Sequence, residues 1–486
     1  MFANASRGER HGTRHNLWGT YFLVMLIALA SLGQCTPASG AQEASRLLTL
    51  EEAYKMALAT HEQIAIAEKE IKKSKLMPYK AFALMLPHVT LTGQWQQVNK
   101  PITSSPGNLL ILPHDQTLGD IKVTNAIFNP NYFPQRREGH ETINKNINNY
   151  YQTIQDVLFQ VARQYYQVLR SGEQVENAKQ MIKLGHEQVR TTKVKFAAGA
   201  VTEEVVLRAE LDLASAENKF IESTHQNKLA KDTLRHLIAL KMPQYEVVKP
   251  SALAEVQESY ETLLGKAYGH RYDHKMALGQ IELAKTDVEK VKAKFLPSVD
   301  ASWEYYGVKH PQFDQEANNW IAMISVKLPV LEGGLRVWEI KEKLGSLEQA
   351  KLALDDKRRN IKVEVEDTML TMRNNKSLLF QLQKQVVLAQ KNYDIIYSKF
   401  KFGAATILDL SQAFTTLFSF KTDLINRTYD YQVSLLSLNK AIGEFVILLI
   451  RDTRPLNDNS FRKWTTSDNQ TQPVEYKSNH QVEPLK

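Results

Sequence analysis

Two long stretches of the chain repeat apolar residues at alternating steps of three and four, which is typical of helices that pack along a coiled-coil seam. The first stripe consists of Val175, Ala178, Ile182, Gly185, Val189, Thr192 and Phe196. The second stripe, at a constant offset from the first, consists of Leu379, Leu382, Val386, Ala389, Tyr393, Ile396 and Phe400. A glycine follows shortly after each stripe, at Gly199 and Gly403. The pattern therefore predicts two long helical hairpins that turn at these glycines.

The helix that leads into the second turn is predicted to be very long. Residues 335–402 contain no proline and one internal glycine, Gly345. If this segment is helical throughout, it extends for about 100 Å, at a rise of about 1.5 Å per residue. The corresponding segment of the first half, 134–198, has a similar length. Helices of this length are not typical of an ordinary globular domain.

Strict alternation of apolar and polar residues predicts strands at 88–98 and 298–306, each with one apolar and one polar face. The apolar positions are Val89, Leu91, Gly93, Trp95, Val299, Ala301, Trp303 and Tyr305. The polar positions are Thr90, Thr92, Gln94, Gln96, Asp300, Ser302, Glu304 and Tyr306. A second, less regular strand follows in each half, after links at 99–119 and 307–319. We expect both links to be exposed loops, because they are rich in Pro, Gly, Asn and Asp.

The two halves of the chain follow the same order of helix, strand, loop, strand, very long helix, turn and helix. Ile71 and Ile281 are separated by the same number of residues as the two Leu-Pro pairs that precede the strands. We therefore predict a repeated organisation. Its segments are a first repeat at 42–243, an inter-repeat linker at 244–258, a second repeat at 259–443 and a polar C-terminal tail at 444–486.

Residues 1–41 are predicted to be a signal peptide, because three arginines precede the apolar segment 21–32 and small residues lead to Ala41. The apolar segment, at about 12 residues, is too short to span a bilayer as a helix. A lipoprotein would carry its lipid on Cys35, but Gln34 stands where a small residue is expected, so lipidation is the less favoured alternative. No later segment is apolar enough for a membrane helix, so a membrane-spanning chain would have to use its strands.

Four strands with one apolar face cannot close a barrel alone, and open strand edges are not tolerated in lipid. Two chains would give about eight strands around a filled interior, whereas three would give about twelve strands and room for a lumen. The lipid-facing residues would be Val89, Leu91, Trp95, Val299, Ala301 and Trp303. The lumen-facing residues would be Thr90, Thr92, Gln94, Asp300, Ser302 and Glu304. The alternative is a small sheet that packs on the helices of a soluble protein.

Composition excludes several other classes of protein. Among 486 residues there is one cysteine, so neither a disulfide framework nor a Cys-based zinc site is expected. The net charge of +8 is spread along the chain without a basic cluster that contains aromatic residues, and no nucleic-acid partner is predicted. No GxGxxG, P-loop or HExxH motif occurs. We therefore predict no enzyme activity, no cofactor and no metal site.

In these features the sequence resembles the TolC-like outer-membrane efflux and secretion channels. The resemblance rests on Leu-Thr-Leu-Glu-Glu-Ala at 48–53, the two Leu-Pro pairs, Pro-Val-Leu-Glu-Gly-Gly at 329–334 and the two glycine turns. Together, in doubled order, these motifs extend over about residues 48–443. The resemblance implies a mainly α-helical fold with a transmembrane β component. In such a fold, long coiled-coil hairpins and four strands per chain trimerise into a 12-strand β-barrel that continues into a 12-helix α-barrel.

The same resemblance implies a homotrimer in contact with lipid in the outer membrane of a Gram-negative bacterium, with a large periplasmic part. It would act as the passive exit duct of a tripartite efflux pump or type I secretion system. Its partners would be a periplasmic adaptor and an inner-membrane pump or ABC exporter. The residues alone leave two rival functions open. The first is an exported coiled-coil scaffold or adhesin with a soluble strand region. The second, less favoured because no convergent polar site can be named, is a secreted enzyme.

The resemblance also implies two sets of site residues. The periplasmic tips that dock the adaptor would be Gly199, Ala200, Val201, Thr202, Gly403, Ala404, Ala405 and Thr406. The pore constriction would be formed by Asp409, Gln412, Glu203 and Glu204. In the family's best-known member two aspartates narrow the entrance, and here Asp409 matches the first while Gln412 replaces the second. Phe400 and Ala405 replace a Tyr and an Arg that latch that entrance, so the polar latch is mostly absent. The alternative for Asp409 is a surface acid on the returning helix.

Overall fold

A computed structural model of the chain describes residues 46–103, 110–242, 244–251, 258–311 and 316–445. The predicted signal peptide, Cys35 and the tail beyond residue 445 lie outside the described residues. Among the described residues, Arg46, Leu47 and Gln244–Glu246 group apart from the others, which form one compact unit from Leu48 onward. A two-stranded sheet is formed by β1 (Arg46–Leu48) and β6 (Tyr245–Val247).

Most of the described residues are helical. The helices are α1 (Leu50–Thr60), α2 (Glu62–Ser74), α3 (Met77–Ala83), α4 (Tyr132–Ala197), α5 (Glu203–Leu237), α6 (Tyr260–His270), α7 (Tyr272–Ala293), α8 (Leu335–Lys401) and α9 (Ile407–Ala441). The two very long helices are confirmed, because α4 has 66 residues and α8 has 67. Within the described residues, no helix combines the length and the apolar character that a bilayer crossing would need.

The helix that precedes the first strand is divided into three, where we expected one helix that stops at a proline. The break between α2 and α3 comes at Pro78, which lies in the first turn of α3 and has no N–H to donate to a continuing helix. The close approach of α3 to α4 occurs at this proline, because a Cβ on Gly139 would lie 3.0 Å from the Pro78 nitrogen. The second half has no proline at the matching place, and α7 continues unbroken to Ala293.

Small side chains at every seventh position pack α4 against α5. The buried members of this seam are Ser171, Ala178, Gly185 and Thr192 on α4 and Ala209, Ala216, Ser223 and Ala230 on α5. The approach is close, since a Cβ on Gly185 would lie 3.2 Å from Leu213 Cδ1. The predicted seam is therefore correct over most of its length. Phe196 is the exception, because its side chain is 47 % exposed at the end of α4.

Large side chains fill the second hairpin instead. Near the turn, Tyr393 and Phe400 of α8 pack against Leu410, Phe414 and their neighbours on α9. Phe400 is buried, unlike Phe196, so the two matched stripes end in different surroundings. The reason is that the aromatic residues of α9 supply a large apolar cluster for Phe400 to enter, whereas the small residues of α5 do not.

Polar side chains connect the first hairpin to the second. Several polar contacts join α4 and α9. They include Gln155 Nε2 donating to the Lys440 carbonyl oxygen, Gln174 Nε2 donating to Asn426 Oδ1, the Tyr429 hydroxyl donating to Glu173 Oε1, and the ion pairs of Arg170 with Asp430 and of Lys440 with Asp156. Hydrogen bonds between side chains require matched geometry but contribute little net free energy each, about 1 kcal/mol. The interface between the hairpins thus contains several polar contacts beside its apolar ones.

The main sheet is antiparallel, with the strand order β2-β5-β7-β8. Its strands are β2 (His88–Gln97), β5 (Asp115–Phe128), β7 (Ser298–Lys309) and β8 (Asn318–Lys327). The links are shorter than predicted, because β5 already begins at Asp115 and β7 extends to Lys309. In addition, β3 (Ile102–Thr103) pairs with β4 (Leu110–Leu112) inside the first link. The backbone groups of 115–119 pair with β2, and this pairing outweighs their loop-like composition.

Candidate functional site: the sheet faces and the hairpin tips

One face of the sheet is apolar across all four strands. Residues that are directly opposite in an antiparallel pair share a face. One row consists of Val89, Val123, Trp303 and Ala322, and the next of Leu91, Ile121, Tyr305 and Trp320. This face is not covered by any helix of the described chain, because the side chains of Val89, Leu91 and Trp95 are 69 %, 78 % and 65 % exposed. A sheet that packs on its own helices would have buried them.

The opposite face is polar on β2, β5 and β7. Thr92 lies opposite Asp120, and Lys122 forms an ion pair of 2.8 Å with Glu304 of the neighbouring strand. The register places the predicted lumen-facing residues of β2 and β7 together on this face. The strand β8 departs from the pattern, because Ile321 and Met323 are apolar and exposed on the polar face. The irregular alternation of β8 in the sequence already indicated that its apolar and polar residues would not separate onto two faces.

The sheet is open at both sides. β2 and β8 are its end strands, so one edge of each lacks a partner strand in the described part of the chain. Each edge exposes a row of backbone N–H and C=O groups, which readily pair with another strand. The sheet is therefore apolar on one face, polar on the other and unpaired at two edges.

The two hairpin turns have the same backbone geometry. Gly199 and Gly403 adopt φ values of 69° and 80°, which residues with a Cβ rarely adopt. The Ala200 N–H donates to the Lys195 carbonyl oxygen at 2.9 Å, and the Ala404 N–H donates to the Lys399 carbonyl oxygen at 2.9 Å. These bonds close a Schellman motif at the end of α4 and of α8. The predicted tip residues 199–202 and 403–406 are thus the two turns themselves.

The second turn is closed by a capping box that the first lacks. Asp409 Oδ2 accepts hydrogen bonds from the Thr406 hydroxyl at 2.7 Å and from the Thr406 N–H at 2.9 Å, and the Asp409 N–H donates to Thr406 Oγ1. The side-chain bond from Thr406, followed by the backbone bond, lowers the pKa of the Asp409 carboxyl. Asp409 is therefore ionised at neutral pH, exposed and fixed in orientation. Thr202, at the matching place, caps α5 without a side-chain bond.

The other predicted constriction residues lie near the starts of α5 and α9, and none of them contacts Asp409 in the described chain. Gln412 is exposed, and its Nε2 donates to Thr416 Oγ1 at 3.3 Å. Glu203 and Glu204 are exposed acids of the first turn of α5. Within one chain, the structure does not gather these four side chains into one cluster.

Polar contacts near the tips link the two hairpins, and of the residues that make them only Phe400 stood out in the sequence. Lys195 Nζ donates to the Phe400 carbonyl oxygen and lies 4.5 Å from the centre of the Phe400 ring. On the returning helices, the Ser411 hydroxyl donates to Asp212 Oδ1 at 2.9 Å. These pairs join residues about 200 positions apart, so no local pattern in the sequence could identify them. The only available signal was their position next to the predicted seams.

The sequence profile of the outer membrane efflux protein family matches residues 53–240 and 263–444, which together make up most of the chain. The chain belongs to the outer membrane efflux protein family. As an efflux family member it is a TolC-like transport protein of the outer membrane. This agrees with the expectation from the sequence motifs and with the two-faced sheet beside long hairpins.

Individual relatives are distant from this outer membrane efflux protein. It is 24 % identical over 304 residues to outer membrane protein TolC of Vibrio cholerae, which covers 60 % of this chain and 69 % of the relative. For TolC of Escherichia coli K12 the identity is 24 % over 320 residues, covering 60 % and 62 %. The crystal structure of the Campylobacter jejuni CmeC outer membrane channel superposes with a TM-score of 0.69 at 16 % identity, covering 82 % of this chain and 86 % of CmeC. The matches to the two TolC proteins thus span about two thirds of their length, and the CmeC likeness shows the fold.

Proposed function

We propose that three copies of this chain form an outer-membrane channel that serves as the passive exit duct of a tripartite efflux pump or type I secretion system. The observation that carries the proposal is the open four-stranded sheet with an exposed apolar face and a polar face. Pairing of β8 of one copy with β2 of the next would satisfy both edges. Three copies would give about twelve strands, with the apolar face toward lipid and the polar face toward a lumen.

A second stripe on the helices supports association of copies. On α8, exposed apolar residues lie on the side that does not contact α9: Val363, Leu370, Phe380, Val387, Leu388 and Ile395. On α5, exposed apolar residues include Leu207, Leu211, Ile221 and Leu229. Pairs of these residues are seven apart on α8 (Val363 and Leu370, Phe380 and Val387, Leu388 and Ile395) and four apart on α5 (Leu207 and Leu211), and both spacings place residues on one side of a helix. We infer that α8 of one copy packs against α5 of its neighbour, which continues the proposed barrel as a ring of about twelve helices.

The turns at 199–202 and 403–406 are the proposed docking site for a periplasmic adaptor. Both turns consist of small residues, and Phe402 beside Gly403 is 89 % exposed. A small-residue turn with an exposed aromatic neighbour lets a partner's backbone approach closely. An inner-membrane pump or ABC exporter would complete the assembly.

The proposed organisation of the chain follows from this function. Cleavage of residues 1–41 would release a chain whose repeats, 42–243 and 259–443, each contribute two strands and one hairpin. The linker 244–258 would join the repeats, and the tail 444–486 would remain periplasmic. Each repeat alone would supply only half of the strands that one copy contributes.

Recordings from planar bilayers test both the pore and its proposed constriction. The purified protein should form channels that trivalent cations block from the side of the tips, because three ionised Asp409 carboxylates would surround the entrance. Asp409→Asn keeps an oxygen that can accept from Thr406 but removes the charge, so we expect the blocking concentration to rise by about tenfold or more. Asp423→Asn, an exposed acid farther along α9, is the matched control and should leave the block unchanged.

Two results would contradict parts of this proposal. Absence of any channel from protein that is assembled and folded would contradict the exit duct. Unchanged block in Asp409→Asn would show that Asp409 does not line the constriction, and the same measurement would then be applied to Glu203 and Glu204.

A further inference from the structure

A separate apolar cluster, far from the tips, holds α6 against the second hairpin. It consists of Leu263, Leu264 and Ala267 of α6, Ile361, Val365, Met369 and Met372 of α8, and Leu435, Leu438, Ala441 and Ile442 at the end of α9. The junction between α6 and α7 lies at the border of this cluster. The end of α9 approaches it closely, because a Cβ on Gly443 would lie 2.9 Å from the Arg271 nitrogen. Any change in the junction therefore affects how α6 covers the hairpin.

A buried histidine occupies this junction. His274 is 6 % exposed, and its Nδ1 lies 2.9 Å from the Tyr268 carbonyl oxygen. A carbonyl oxygen only accepts, so Nδ1 carries the proton in the neutral ring. Nε2 is buried and has no hydrogen-bond partner. The site thus fits a neutral imidazole, and a proton added at Nε2 would find no acceptor.

The charged groups that face His274 are already engaged with one another. From the junction, Arg271 pairs with Asp273 at 2.8 Å and with Glu364 of α8 at 2.7 Å. Also from α8, Lys357 approaches Asp273 at 3.4 Å, and the Arg358 carbonyl oxygen accepts from the Tyr268 hydroxyl. From the far side, Glu444 after α9 lies 3.2 Å from Lys266 and 3.8 Å from His270 of α6. The acids are thus paired with other cations. Asp273 Oδ1 also accepts from the backbone N–H of His274 at 2.8 Å, but no acid accepts from its ring.

These surroundings set the direction of the titration. Burial lowers the pKa of His274; Arg358 and Arg271 lower it too, and the bond to Tyr268 and the charge of Asp273 oppose them. We call the junction seated when α6 covers the apolar cluster and unseated when it does not. Above the ordinary histidine pKa of about 6.5, His274 is neutral in both states. As pH falls below that value, the unseated state binds a proton that the seated state does not, so the seated state loses stability. The loss continues until pH reaches the lowered pKa.

We propose that His274 makes the junction of α6 and α7 an acid-sensitive clamp on the second hairpin. A neutral imidazole favours the seated state, in which α6 covers the apolar cluster. Protonation places a further positive charge beside Arg271 and Arg358, without an acceptor, and releases α6. Release of α6 exposes residues 361–372, near the middle of α8. The clamp therefore makes the mobility of the α8–α9 hairpin depend on the pH around the helices.

Hydrogen–deuterium exchange of the assembled protein tests the clamp. We expect peptides from 260–274 and 361–372 to exchange faster at about pH 5 than at about pH 7.5, after correction for intrinsic rates, by about tenfold for each unit of pKa depression. His274→Gln can still donate to the Tyr268 carbonyl but does not titrate, so its peptides should show no acid response. His225→Gln, at an exposed histidine of α5, is the matched control and should respond as the wild type does.

An acid response of equal size in His274→Gln, or no acid response in the wild type, would overturn the proposal. If the peptides of His274→Gln exchange fast at both pH values, the substitution itself destabilises the junction. The acid response of Arg358→Gln is then the test of the proposal. Removing that cation should raise the pKa of His274 and reduce the acid response. An unchanged acid response in Arg358→Gln would then overturn the proposal.

Discussion

A lysine at Leu91 is expected to abolish assembly in the outer membrane, and a lysine at the next residue, Thr92, is expected to be tolerated. Leu91 lies on the apolar face, 78 % exposed, opposite Ile121 of β5. If this face contacts lipid, a cation there costs about 2–4 kcal/mol near the middle of the bilayer, and each copy of the chain adds that cost. Thr92 lies on the polar face opposite Asp120, where a lysine gains an acidic neighbour.

The amount of heat-modifiable oligomer in detergent-extracted outer membranes measures both variants. We expect Leu91→Lys to reduce it by more than about tenfold and Thr92→Lys to keep it near the wild-type amount. Since the two positions are adjacent on one strand, a general loss of strand stability would affect both. Equal tolerance of the two lysines would argue for a sheet in water, and equal loss would argue that neither face is specifically lipid-facing.

Glutamate at the hairpin turns is expected to stop export while leaving the channel assembled. Ala200 and Ala404 follow the two turn glycines, and both are exposed. A charged side chain there would have to be desolvated when an adaptor docks, which we expect to weaken docking by about 2 kcal/mol, or ~30-fold in affinity. Ala200→Glu and Ala404→Glu should therefore lose export of the physiological substrate or of a fluorescent reporter dye.

Two controls separate docking from folding. Gly403→Ala places a Cβ in open space at a φ of 80°, so it has the backbone strain of about 1 kcal/mol without bulk or charge. Thr224→Glu puts the same charge on an exposed residue of α5, away from the turn and off the side that carries Leu207, Leu211 and Ile221. Both should assemble and export normally. Reduced oligomer in Ala200→Glu and Ala404→Glu would assign their defect to misfolding, and normal export would remove the turns from the docking site.

The long elements of the fold could be predicted because their signals are local. The steps of three and four along α4 and α8, and the absence of proline between Leu335 and Phe402, are sufficient for two very long helices. The alternation along β2 likewise determined which residues share a face. The start of β5 at Asp115 could not be predicted, because it depends on pairing with β2 rather than on the composition of 115–119.

The candidate site, like the fold, was predictable where its signals are local and not where they depend on distant segments. Both turn glycines stood out in the sequence, since a helical hairpin needs a residue that adopts a positive φ. The different surroundings of Phe196 and Phe400 did not, because they follow from whether the facing helix has small or aromatic side chains. Contacts between hairpins, such as Ser411 with Asp212, join segments that are distant in the sequence. They produce no periodic pattern from which they could be predicted.

The topology of the sheet is the central claim, and labelling of intact cells with a membrane-impermeant maleimide tests it most directly. In a chain with Cys35→Ser, single cysteines are placed at Lys100 and Glu316, both exposed beyond the ends of strands away from the helices, and at Val330, 88 % exposed at the helical end. If the strands cross the outer membrane, Lys100→Cys and Glu316→Cys will react in intact cells, and Val330→Cys only after the outer membrane is permeabilised. Reaction of all three only after permeabilisation would contradict a membrane-spanning sheet.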